Sequence, residues 1–226
     1  MKTKGIILIL AVLLFNSCIV KSLQPFYTKD SISFNKKLIG NWIDNKKGEW
    51  TVESIKSKME EDQKNGIEMS KEELNFVEIY KDGYFITYLK KEKEAGFIAM
   101  PFKVNKQYFL DFIPIEIEDN EINSLAAEHL LKTHSVAKLD INSEEGVSLS
   151  WLSEERVSDL FEGQKIRLKH ELVGFQQDLL ITASSEELHA FLKKYIEADL
   201  FNEYEKNDNK WKSSDKLELT KVDAKP

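Results

Sequence analysis

From residue 38 onward the chain is built of short runs in which apolar and polar residues alternate, and each such run predicts a half-buried β-strand. Residues 38–43 (LIGNWI) open the series. Residues 49–55 follow a turn rich in Asn, Lys and Gly, with Trp50 and Val52 on one face. Residues 75–80 and 84–90 predict a hairpin around Asp82-Gly83, because glycine adopts positive φ without steric cost. Residues 95–104, in which Pro101 marks a bulge or a sheet edge, pair with 108–117 across Asn105-Lys106. On that second strand Phe109 and Asp111 face one way, and Tyr108, Leu110 and Phe112 the other. Runs at 134–141, 147–152, 166–173 and 178–182 continue the pattern. Residues 217–222 supply a last strand, whose contact with a barrel the pattern leaves open.

Helical spacing is rarer. Residues 121–132 carry Ile122, Leu125, Ala126 and Leu130 at helical intervals. Ser153 is placed to cap a short helix that runs through Phe161 and ends at Gly163. Ser184-Ser185-Glu186-Glu187 reads as a capping box. The helix it starts puts Leu188, Phe191, Leu192, Tyr195 and Ile196 on one stripe, so it should pack on the sheet. Residues 56–73 are so charged that they read as a solvated loop with room for a short helix. The expectation is an α+β, mainly β domain over residues 38–222. Its antiparallel sheet is curled into a barrel or half-barrel, with two or three packed helices.

The N-terminus changes the picture, because it supplies an address. Lys2 and Lys4 precede an apolar run, residues 5–15 (GIILILAVLLF), and then Asn16, Ser17 and Cys18. Positive charge, apolar stretch and small residue are the layout of a secretory signal. The run is shorter than the roughly 20 residues that span a bilayer. Cys18, the only cysteine in the chain, has no internal partner for a disulfide. The arrangement resembles a bacterial lipoprotein signal, in which that cysteine is acylated and becomes the first residue of the mature protein. Ser17 matches the motif, whereas Phe15 stands where Leu is usual and Asn16 where Ala or Ser is. The resemblance implies a signal peptide over 1–17, lipidation at Cys18 and a polar tether over 18–37 that spaces the domain from the membrane, with Pro25-Phe26-Tyr27 available to dock back. Two or three acyl chains hold a protein far more firmly than the marginal grip of one. Ile19, in place of an acidic residue after the cysteine, implies the outer membrane and a periplasm-facing position.

Charge narrows the partners. The net charge of −7 becomes −9 once Lys2 and Lys4 are removed, which argues against nucleic acid. Arg156 and Arg167 are the only arginines, too few for an arginine cluster that grips phosphate or carboxylate.

Gly40-Asn41-Trp42 on the first strand resembles the Gly-x-Trp of lipocalin-like barrels, where the glycine allows close approach and the tryptophan plugs one end. That resemblance implies a lipocalin-like, antiparallel barrel and an arginine over the tryptophan, for which Arg167 is the only strand candidate, though nothing in the sequence pairs it with Trp42. The chain as a whole is similar to uncharacterised lipoproteins of Bacteroidetes-type bacteria, through its Leu-Gln-Pro-Phe-Tyr segment and its Ile-Gly-x-Trp opening.

Candidate chemistry is sparse. His129 and His134 are five apart, not the three or four of a helical metal pair, and no nucleophile, phosphate-loop or zinc-protease motif occurs. Neither a catalytic set nor a metal or cofactor is expected. Asp111, flanked by apolar residues, is the most unusual carboxylate; on a solvent-facing strand it is an ordinary acid, and if buried its pKa would rise. Trp42, Trp50 and Trp151 are the candidates to line a ligand cavity, with core packing as the alternative. The leading expectation is a membrane-anchored envelope lipoprotein of non-catalytic binding type, taking a small apolar ligand or an envelope protein. An immunity or inhibitor lipoprotein and a carboxylate-dependent hydrolase are the alternatives.

Overall fold

The structure, a computed structural model, describes residues 19–115, 130–142, 146–175, 177–198 and 216–223. Eight antiparallel strands close a barrel. Seven follow one another in sequence: β2 (Gly40–Asp44), β3 (Glu49–Ser54), β4 (Tyr84–Lys90), β5 (Lys93–Val104), β6 (Gln107–Pro114), β7 (Ser135–Ile141) and β8 (Gly146–Trp151). The eighth, β11 (Lys216–Val222), pairs with β2 on one side and β8 on the other. The last alternating run of the sequence is therefore the staple that removes both free edges. Alternation decides which side chains go inside. Leu110 and Phe112 join Trp42, Trp50, Val52, Ile86, Leu149 and Leu219 in the barrel core, while Phe109 points outward.

Outward-facing apolar residues demand a second layer. Phe102, Val104, Phe109 and Val136 on the outer wall are covered by two helices, α3 (Glu154–Glu162) and α4 (Ser185–Glu197). A small sheet of order β1-β10-β9 completes that layer: β1 (Lys21–Ser22), β10 (Asp178–Ile181) and β9 (His170–Val173). Both helices start as their sequences require. Ser153 accepts from the Arg156 amide, and Ser184 and Glu187 exchange the two bonds of a capping box. Leu188, Phe191, Leu192 and Tyr195 are the buried stripe of α4.

Two further helices, α1 (Ile55–Lys64) and α2 (Lys71–Tyr80), lie between β3 and β4, giving four among the described residues. The expected hairpin at 75–80 is thus absent. Ser70 and Glu73 form a capping box, with the Ser70 amide donating to Glu73 Oε2 at 2.7 Å. Phe76 and Tyr80, one helical turn apart, meet at 5.1 Å between ring centroids. Asp82-Gly83 turns a helix into a strand instead, and Gly83 is required by crowding: a Cβ there would lie 2.6 Å from Met100 Sδ. The run at 166–173 also shortens, to the four exposed residues of β9. The expected helix at 121–132 falls almost wholly outside the described residues.

The segment expected to be a spacer is part of the domain. Val20, Ser22 and Phe26 are fully buried. β1 pairs in parallel with β10, and Ile32 bridges to Phe102. Short 3-10 turns at Lys29–Ser31 and Lys36–Leu38 bring the chain to the barrel mouth. The docking foreseen for Pro25-Phe26-Tyr27 therefore extends over the whole stretch from Ile19 to Leu38.

Candidate functional site

The barrel interior is the first place to look for a ligand. Trp42 and Trp50 lie opposite each other on β2 and β3 and both line the lumen. Trp151, on the same face of β8 as Val147 and Leu149, packs half-buried against the barrel core outside that space, with its ring 5.6 Å from that of Phe112. The space left between Leu38, Trp42, Trp50, Ile86, Leu110 and Leu149 is a cavity of about 20 Å³. That is about enough for one water, whereas small-molecule sites begin at roughly 300 Å³. Among the described residues, the space beside Trp42 and Trp50 is therefore too small to hold a ligand.

Two sets of bonds fix the chain around the lumen. At one end Trp42 Nε1 donates to the Leu38 carbonyl at 2.9 Å. The Tyr84 hydroxyl donates to the Asn35 carbonyl and accepts from the Asn35 amide, and its ring stacks on Phe34. Burial pushes the Tyr84 phenol well above its usual range, so it stays a donor. The cation over Trp42 is not the arginine that the Gly-x-Trp resemblance implied but a lysine of β11: Lys221 Nζ lies 5.3 Å from the indole centroid. Arg167 lies outside every described strand. At the β2–β3 turn the buried Asp44 carboxylate accepts from the Lys46 and Gly48 amides, at 2.8 Å each, and from Trp50 Nε1 at 2.9 Å. A Cβ on Gly48 would lie 2.3 Å from the Tyr88 ring, so only glycine fits that turn.

Asp111 is the second candidate. It is fully buried on the outer wall of β6. One oxygen accepts from the Phe26 amide at 2.7 Å, and the other meets His134 Nδ1 at 2.6 Å. Burial raises its pKa, while the His134 hydrogen bond and charge and the Phe26 amide pull the other way. Tyr27 and Tyr80 lie close enough that the carboxylate adds to the burial that raises both phenols. The solvent-facing alternative for Asp111 is overturned, because residues 20–34 lie across that face. The pair works as a clamp. His134 also bridges to Ser22 through paired backbone bonds, so one histidine holds both the side chain and the strand beneath it. Sequence reasoning missed the partnership, since Asp111 and His134 are 23 residues apart.

A third feature was not foreseen. A cleft of about 390 Å³ opens on the outer surface beside α3 and α4, lined by Leu160, Ile166, Phe191 and Tyr195 with Arg156, Lys165 and Lys194 among them. Among the described residues no three His, Cys, Asp or Glu side chains are grouped to hold a metal, and no helix is long and apolar enough to cross a membrane. Cys18 itself lies outside the described residues. No family model, no curated protein and no solved structure matches this chain.

Proposed function

We propose that the chain is a lipid-anchored protein of the cell envelope, of non-catalytic binding type, whose partner is another envelope protein docking on its outer surface. The N-terminal pattern of Lys2, Lys4, an apolar run and Cys18 supports the anchor and the outer-membrane, periplasm-facing address. The observation that carries the choice of partner is the filled lumen. With about 20 Å³ free between Trp42 and Trp50, the described residues leave no room there for an apolar ligand. Recognition then falls to the exterior, where the net acidic charge repels nucleic acid and Leu74 and Ile79 on α2, with Ile67 between α1 and α2, are exposed. Asp111 is held between Phe26 and His134 beneath the N-terminal segment, which supports a structural duty for it over a catalytic one.

Two mass measurements on protein purified from host membranes test this reading. The intact mass should exceed that of the chain from Cys18 by two or three acyl groups, and the excess should disappear in Cys18→Ser. Under native spray the same protein should carry no further lipid. A stoichiometric lipid that survives detergent exchange would refute the choice of a protein partner.

A further inference from the structure

We infer that the β9–β10 hairpin is a membrane-contacting wedge that enters the interface of the same bilayer that takes the Cys18 acyl chains. The inference rests on the proposed anchor and adds a second, protein-borne contact beside it.

The first observation is exposure. All four residues of β9 are exposed, and at its end Leu172, Val173 and Phe175 present apolar side chains to solvent, the Phe175 ring with no cover at all. Gly174 and Gln177, both at positive φ, make the tight turn that carries Phe175 outward. A soluble surface seldom spends three neighbouring large apolar residues on one turn without something to cover them.

The second observation is register, and it says what covers them. β1 runs parallel to β10, with Lys21 opposite Leu180 and Ser22 opposite Ile181. Moving back along β1 from Lys21 towards Ile19 therefore moves along β10 towards Asp178 and the turn. Lys21 Nζ reaches Asp178 Oδ2 at 4.0 Å, in keeping with that direction. Ile19 is pinned by its bridge to Ser153, and the Val20 amide donates to the Leu152 carbonyl. Cys18 is bonded directly to Ile19. The acyl chains thus start from the same end of the small sheet as the Phe175 turn. β1 and β9 are separated by β10 alone, a lateral offset of about 10 Å. Since Ile19 is fixed by its bridge to Ser153 and is the residue next to the acylated cysteine, the proposed anchor brings the bilayer to this end.

The third observation is charge. Lys165, Arg167 and Lys169 lead into β9, all exposed, in a chain that is acidic overall. A basic flank beside an apolar tip is the chemistry of an anionic lipid interface. Glu171, Asp178 and Glu187, whose carboxylate lies close enough to feel Lys169, temper that charge.

Full-length acylated protein tests this. Phe175→Cys and, separately, Leu172→Cys are labelled with an environment-sensitive dye and reconstituted in vesicles of phosphatidylethanolamine and phosphatidylglycerol, after intact mass has verified the acyl groups. Both positions are exposed, so neither change threatens the fold. The expected result is blue-shifted emission, quenching by nitroxide-labelled lipid and shielding from aqueous iodide. Acylated protein on vesicles whose dye stays open to iodide and untouched by lipid quencher, at both positions, overturns the wedge and leaves the anchor standing. A mass without acyl groups overturns the anchor, and the wedge with it.

Discussion

Removing the Asp111 carboxylate tests how firmly the N-terminal segment is built into the fold. In Asp111→Ala the Phe26 amide and His134 Nδ1 both lose their partner beneath a covered surface. An orphaned buried polar group costs about 1–3 kcal/mol, and this change orphans two. The expected loss is therefore about 2–5 kcal/mol, a large part of the roughly 5–15 kcal/mol that holds a domain together. His134→Ala should cost a similar amount, because it strands a fully buried carboxylate on one amide donor. The double variant strands only the Phe26 amide, so the two losses must fall short of adding, by about 1–3 kcal/mol. Urea unfolding at neutral pH reads all four proteins, with the lumenal Trp42 and Trp50 as fluorescent reporters. A loss below about 1 kcal/mol for Asp111→Ala, or losses that simply add, would refute the clamp.

Other consequences follow from the same geometry. Burial raises the Asp111 pKa in the folded state, so the native protein holds this proton more tightly than the unfolded chain. Stability from that group is full below the unfolded value of about 3.9 and is lost as pH rises through the folded value. The wild type should therefore lose ground to Asp111→Asn on going from acid to neutral pH, read as a difference in urea midpoints. Trp42→Ala should cost about 3–5 kcal/mol by calorimetry, since it empties a packed lumen. Lys221→Met, which removes only the cation over that indole, should cost about 0.5–1 kcal/mol. Gly48→Ala should lower the melting temperature, as its methyl group collides with Tyr88 and with the Asp44 carboxylate that caps Trp50.

Much of this fold was legible, and the parts that were not have identifiable reasons. Strict alternation at Leu110 and Phe112 against Phe109 and Asp111 placed each side chain on its true face. The Ser184–Glu187 capping box gave α4 because cap and stripe agreed. At α2 they conflicted: Ser70 and Glu73 supply a capping box, but Asn75, Phe76, Val77 and Ile79 have strand-like composition and Asp82-Gly83 imitates a hairpin turn. In the structure the capping box prevails, and α2 packs beside α1. The stretch from Ile19 to Leu38 hid for a different reason. Its buried residues Val20, Phe26 and Leu38 follow no period, because the segment is moulded to a surface made elsewhere in the chain. The Asp111–His134 contact is likewise tertiary, and each residue alone looks ordinary. The filled lumen could not be read at all, since the same tryptophans line an open cavity or a packed core depending on a few ångströms of strand closure.

The anchor geometry and the wedge both require the chain to be rigid from Ile19 onward. Hydrogen exchange of the acylated protein in vesicles, followed by mass spectrometry over residues 19–38, tests it most directly. The amides of Val20, Ser22, Leu23 and Phe26, which donate to Leu152, His134, Ile181 and Asp111, should exchange as slowly as those of β5 and β6. Complete exchange of this segment within seconds, while the barrel strands stay protected, would contradict it.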